Sequence, residues 1–265
     1  MTTPTPTSIS ETKAWIQAAS HQDLLDKIRS EPPDSFLFQG EIGRLFYRTL
    51  SQKFPQAGYN KDNTRITLLV DESGSMANVI DETLSGLNAL VKDQARQPGN
   101  ARLSLTTFSN HSTEKIKDLD IQYFPVINKY HYSPSGYTAL YDAIVEGILH
   151  HDARNREDGW AAKNIFVIQT DGEENASRHF PLMRVKEEIR SCERQGWTFM
   201  FLGANQDTFA TRDSLGISSG LAINYASTSE GTQQAYATVS STLSSIRNFH
   251  GVGTFKVEDI DLTIL

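Results

Sequence analysis

Three short stretches of this 265-residue chain gather side chains with hard oxygen atoms. Asp71-Glu72-Ser73-Gly74-Ser75-Met76 follows the apolar run 66–70, and Thr170-Asp171-Gly172-Glu173-Glu174 follows the apolar run 164–169. Ser133-Pro134-Ser135-Gly136-Tyr137-Thr138 leads into a helical pattern. Carboxylates and hydroxyls, few in number and mostly neutral, suit Mg²⁺, which keeps several of its waters and resists enclosure by protein; Mn²⁺ and Ca²⁺ accept the same oxygens. The alternation Asp71, Ser73, Ser75 lets one tight turn aim three side chains the same way, with Gly74 permitting the bend. Each stretch taken singly reads equally well as a turn or a helix cap, because Ser and Asp are common in both.

The elements around these residues decide where they meet. Residues 66–70, 164–169 and 198–202 are continuous apolar runs of strand length, and 102–108 alternates like a strand. Residues 115–124 read as a further strand after a polar turn at 109–112, and 221–225 as a short one. Between them lie amphipathic helical patterns: Ile80, Leu84, Leu87 and Val91; Leu140, Ile144, Val145 and Ile148; Leu182, Val185 and Ile189; then 207–215 and 231–248. Buried-type strands alternating with helices predict an α/β fold, doubly wound, with a mainly parallel central sheet, helices on both faces and one antiparallel edge strand. In such folds the functional crevice lies beyond the carboxyl ends of the strands, where the acidic and hydroxyl residues fall.

With that placement, Asp71-x-Ser73-x-Ser75, Thr138 and Asp171 resemble the metal-ion-dependent adhesion site (MIDAS) of von Willebrand factor A (VWA) domains. The surrounding motifs agree: Ser-Gly-Ser-Met at 73–76, Gly136-x-Thr138-x-Leu140-x-Asp142-Ala143, and Thr170-Asp171-Gly172. The resemblance covers residues 65–248 and implies a Rossmann-like VWA fold. It further implies a divalent ion held by the Ser73, Ser75 and Thr138 hydroxyls, with Asp71 and Asp171 bound directly or through water. An exposed coordination position would then accept an Asp or Glu from a protein partner. Tyr137 stands where a second glycine is frequent in the family, at the approach to the metal. Glu173 and Glu174 add negative charge beside Asp171, which favours the cation and opposes an acidic partner. Residues 198–227 resemble the later half of stand-alone bacterial and phage members, for which an intracellular assembly role, such as an adaptor of an AAA+ ATPase or a phage-conflict component, is the expectation.

Other chemistries fit less well. A metal-dependent hydrolase would need a general base from Glu72, Glu173 or Glu174, while Ser73 occupies the place of the second Asp in an Asp-x-Asp phosphatase motif. Gly216-x-Ser218-x-Gly220 follows a helix and precedes a strand, the reverse of a nucleophile elbow. His150-His151-Asp152 sits near a helix C-terminus, where histidine is favourable with the helix dipole. No phosphate-cradling glycine motif follows the first strand. The expectation is therefore a binding module and not an enzyme.

Composition bounds the setting. The chain carries 25 Lys and Arg against 32 Asp and Glu, a net charge of −7, with no basic stripe, so neither nucleic acid nor an anionic membrane is an expected partner. A lone cysteine, Cys192, excludes an internal disulfide, and with no signal-like start the expected location is cytoplasmic. The expected organisation is a disordered Thr/Pro tail at 1–10, an N-terminal helical extension at 11–62, the A-type domain at 63–250 and a tail at 251–265 patterned like an added edge strand. Oligomeric state is not legible.

Overall fold

Each apolar run becomes a strand that is covered on both faces. In a computed structural model of the chain, residues 9–20, 23–24, 27, 42, 45, 49, 63–158, 163–204, 208–217, 221–226 and 228–249 are described. The strands are β1 (Thr64–Asp71), β2 (Ala101–Phe108), β3 (Ser112–Asp120), β4 (Lys163–Thr170), β5 (Thr198–Ala204) and β6 (Leu221–Tyr225). They form one sheet in the order β3-β2-β1-β4-β5-β6, parallel except for β3 against β2. The α/β doubly wound architecture with one antiparallel edge strand is the one predicted.

The helices are α1 (Ile9–Ala18), α2 (Ile80–Ala95), α3 (Leu140–Asp158), α4 (Leu182–Arg194), α5 (Thr208–Leu215) and α6 (Ser229–Asn248). Alternation along the strands splits the core in two, because successive side chains point to opposite faces. Ile66, Leu68 and Val70 of β1 pack with Leu87 and Val91 of α2 and Val239 and Leu243 of α6. Leu69 points to the other face, where it joins Ile144 and Ile148 of α3 and Val185 and Ile189 of α4. Ile16 and Ala19, with the helical residue Leu24 and with Ile42, are buried in the first of these cores.

The sequence expectations are adjusted at three places. Ile9 and Ser10, read as tail, form the first turn of α1. The edge strand starts at Ser112, paired with Phe108, and stops at Asp120, not at 124; Ile121–Tyr123 is a 3₁₀ turn. The turn lets Ile121 drop into the core, and the Asp120 carboxylate accepts the Gln122 N–H to hold it. A bulge shifts the β2–β3 register between Leu103 and Leu105, and Asp118 adopts φ 43°, a left-handed conformation that Asp tolerates better than most residues. The strand-like pattern at 251–265 and residues 1–8 lie outside the described residues.

The order of strands places β1 beside β4, with β2 wound to one side of β1 and β5 to the other side of β4. The crevice of a doubly wound sheet opens at this reversal, beyond the carboxyl ends of β1 and β4.

Candidate metal centre

β1 ends on Asp71, which is wholly buried. One carboxylate oxygen, Oδ1, accepts the N–H of Ser73 at 2.7 Å, and Oδ2 accepts the hydroxyl of Thr170, the last residue of β4, at 2.6 Å. The two neighbouring strand ends are thus joined through one side chain. The chain then turns into a 3₁₀ helix, Gly74–Val79, with Met76 packed beneath it. Ser73 Oγ and Ser75 Oγ lie 3.1 Å apart, and Ser75 Oγ donates to Asp171 Oδ1 at 2.6 Å.

Thr138 arrives on the loop before α3, and backbone bonds fasten that loop to the first turn. Ser135 N–H donates to Glu72 O at 2.8 Å and Gly74 N–H to Gly136 O at 3.0 Å. Gly136 has φ 81°, the left-handed region where a glycine is needed. Tyr132 sends its hydroxyl to Asp71 O at 2.9 Å from below. On the far side, Asn175 grips Thr138 in both directions, Oδ1 accepting its N–H at 2.9 Å and N–H donating to its carbonyl at 3.0 Å. Gly172 leaves the last opening: a Cβ there would lie 3.3 Å from Thr138 Oγ1 and 4.0 Å from Ser75 Oγ. The structure therefore brings Asp71, Ser73, Ser75, Thr138 and Asp171 around one spot.

Electrostatics at this spot favour a cation. Burial pushes the Asp71 carboxyl up to about 6, against the pull of the Thr170 and Ser73 hydrogen bonds, and the nearby Asp171 charge adds to the rise. Burial also raises Asp171, opposed by Ser75. Neither forms an ion pair among the described residues. No group of three or more His, Cys, Asp or Glu side chains converges as a metal cage among them either, so any ion here must draw on hydroxyls. Two under-neutralised carboxylates with three hydroxyls, and no thiolate or imidazole, fit a hard divalent cation.

The neighbouring acids behave differently from their sequence reading. Glu174 does not add free charge to the site: its carboxylate accepts the N–H groups of Tyr141, Ala176 and Ser177 and the Ser177 hydroxyl. Glu72 accepts the Thr107 hydroxyl and the Ser133 N–H and pairs with Lys115 Nζ at 3.4 Å. Asp142 accepts the N–H groups of Arg178, His179 and Phe180; burial works to raise its pKa and these donors outweigh it, so it lies below the usual carboxylate value. These acids are loop anchors. Their partners lie more than thirty residues away in several cases, so local sequence offers no signal for them. Glu173 alone among the acids weighed as bases is exposed.

His151 is buried between the Thr67 hydroxyl and Asn164 Oδ1, at 2.8 and 2.9 Å. Burial lowers its pKa to about 3, so it is a neutral core histidine. Gly216 ends α5 with φ 82°, and β6 follows at Leu221, the helix-then-strand order that argues against a nucleophile elbow; residues 218–220 lie outside the described residues.

Solved structures share the architecture. The VWA domain of the type V pilus tip protein Mfa5 from Porphyromonas gingivalis is 11% identical, with a TM-score of 0.51 over 73% of this chain and 99% of that one. The pilus adhesin SpaC from Lactobacillus rhamnosus GG is 12% identical, with a TM-score of 0.51 over 72% of this chain and 30% of the other. Proximal thread matrix protein 1 from the mussel byssus, solved with a zinc-occupied MIDAS motif, is 15% identical with a TM-score of 0.48 over 77% of this chain and 52% of its own. The present chain thus spans about half the length of the mussel protein. No curated protein sequence matches it significantly. The family model for the von Willebrand factor type A domain matches residues 66–241, most of the chain, and the protein belongs to that family.

Proposed function

We propose that this protein is a metal-dependent protein-interaction module in which Asp71, Ser73, Ser75, Thr138 and Asp171 hold Mg²⁺. The observation that carries the reading is the convergence of those residues at the β1–β4 crevice with both carboxylates short of positive charge. When bound, the ion supplies a positive charge that can accept an Asp or Glu side chain of a protein partner. The chain's own residues do the rest. Asp71 sits at the bottom and fixes the Ser73 turn; Ser75 orients Asp171; Asn175 and the Gly74–Gly136 bond hold Thr138 at the rim. Tyr137 is 68% exposed, its N–H held by Asn110 Oδ1, so its ring belongs to the surface that a partner meets.

A hydrolase built on the same site has less support, since Glu72 and Glu174 have their oxygens engaged by other donors. No helix among the described residues is long and apolar enough to cross a membrane. We place the module inside the cell as part of the same reading; the thiol of Cys192 is buried, and burial raises its pKa to about 12, as suits an inert core residue.

The test is thermal unfolding with Mg²⁺ and with EDTA. Binding to the native state raises the melting temperature, and the rise should vanish in Ser73→Ala/Ser75→Ala while the EDTA melting temperature stays near that of the wild type. A rise that persists in the double variant would move the ion elsewhere.

A further inference from the structure

Beside the metal centre lies a groove of about 460 Å³, lined in part by Asn110, His111, Tyr137, Asn175 and Arg178. It shares a wall with the candidate metal site, because Tyr137 and Asn175 flank and grip Thr138. Its polar groups point one way chemically. Asn110 Oδ1 accepts the Tyr137 N–H at 2.9 Å and Asn175 Oδ1 accepts the Thr138 N–H at 2.9 Å. With both amide oxygens committed to backbone donors, each side chain has its NH₂ group left to offer. Arg178 is exposed, and its guanidinium makes no ion pair among the described residues. The exposed His111 ring and the Tyr137 hydroxyl add further donors.

Among the described residues no carboxylate lines the groove. Two acids bonded to its lining residues have their oxygens engaged by backbone donors: Glu174 accepts the Ala176 and Ser177 N–H groups, and Asp142 accepts the Arg178 and Phe180 N–H groups. A donor-lined groove with a free guanidinium, on a chain of net charge −7, is a local reversal of the protein's overall charge. A guanidinium fork matches a carboxylate in two parallel hydrogen bonds.

We infer that the groove receives a second acidic side chain from the same partner segment, so that recognition is two-point: one carboxylate at the metal, another against Arg178 with the Asn110 and Asn175 amides. This rests on the metal-bridging reading and adds to it a sequence requirement on the partner. The two points also fix the line along which the segment lies, from the metal to Arg178.

The probes are short synthetic Gly/Ser peptides carrying one Glu, or that Glu and a second at increasing spacing, measured by fluorescence anisotropy with the full chain in Mg²⁺. At one preferred spacing the two-Glu peptide should bind about tenfold tighter than the one-Glu peptide, as a charge-assisted bidentate contact provides. Arg178→Gln should remove that preference and leave the Mg²⁺-induced melting shift unchanged. Equal binding of both peptides, or a preference that survives Arg178→Gln, overturns the inference and leaves the metal reading standing. Two-Glu binding that persists in EDTA yet is lost in Arg178→Gln supports the groove and removes the metal bridge. A phosphoserine peptide gaining where the second Glu gains nothing overturns the carboxylate assignment, and no Mg²⁺-dependent binding of any peptide overturns both.

Discussion

Around the amino ends of β1 and β2, Arg65 and Arg102 share the Asp118 carboxylate, at 2.8 and 3.3 Å, and further along the sheet edge Arg154 of α3 pairs with Glu114 of β3. At the carboxyl ends of β1 and β4, Asp71 and Asp171 meet hydroxyls and N–H groups but no cation among the described residues. Both regions bury charge, yet one is closed on itself and the other is short of its counter-charge. The left-handed Asp118 aids the closure: its N–H is taken by Ser104 Oγ, and both its carboxylate oxygens serve Arg65. Buried charge at the first end stabilises the fold only while every partner is present. Buried charge at the second end is a standing demand for an ion. The difference sets a structural polar cluster apart from the proposed metal site without reference to any relative.

The contrast is broken most severely at the closed end. Asp118→Ala takes from Arg65, 1% exposed, and from Arg102 the carboxylate they share. The expected loss is about 3–5 kcal/mol in denaturant unfolding, with the Mg²⁺ response of the folded fraction retained. Acid tests the same end next. His151 is neutral in the folded chain down to about pH 3 but takes a proton near its ordinary value once unfolded. The unfolded state therefore binds more protons below about pH 6.5, and stability falls as pH drops through that window, on the order of 3 kcal/mol from this group. His151→Gln, which keeps a donor and an acceptor but cannot charge, should flatten the slope of stability against pH.

At the open end the expectation reverses. Asp71→Asn removes an under-neutralised charge, and the new amide can still meet Ser73 and Thr170. Stability in EDTA should change by less than about 1 kcal/mol. The Mg²⁺-induced gain should disappear; at a hundredfold excess over Kd that gain is about 2.7 kcal/mol, roughly 5–10 °C in melting temperature. A large loss of stability in EDTA would instead class Asp71 with Asp118. The smallest effect is expected from Gly172→Ala, whose Cβ crowds Thr138 Oγ1 at 3.3 Å. It should weaken the Mg²⁺ response by about 1 kcal/mol, read as a lower apparent affinity in a thermal-shift titration.

The open end was largely legible in the sequence, and the closed end was not. Asp71, Ser73, Ser75 and Asp171 directly follow apolar strands, so a doubly wound sheet alone carries them to one edge. The arginine cluster depends on a bulge in β3 and on a left-handed residue at 118, neither of which has a glycine or proline to mark it. Reading the strand as starting at Lys115 hid the pairing of Thr106 with Glu114. The anchoring roles of Glu174 and Glu72 are hidden for a related reason. A carboxylate looks the same in sequence whether it faces an ion or takes backbone N–H groups, and Tyr141, the Glu174 partner, lies 33 residues away. Asn110 and Asn175, which shape the loop and the groove beside it, each open an Asn-x-Ser tripeptide, a pattern that gives no hint of their role in holding backbone N–H groups.

The neighbourship of β1 and β4 also has a consequence in time. Thr170 and Asp71, hydrogen-bonded across that pair, are 99 residues apart in the chain, and α2, β2, β3 and α3 lie between them. Contacts of such separation close late, after the intervening loop entropy has been overcome. An ion held by both strand ends, as proposed, is then expected to gain its full set of oxygens only beyond the folding barrier. Mg²⁺ should accordingly slow the unfolding limb of a chevron plot while leaving the refolding limb nearly unchanged, making the bound ion a latch on the finished sheet.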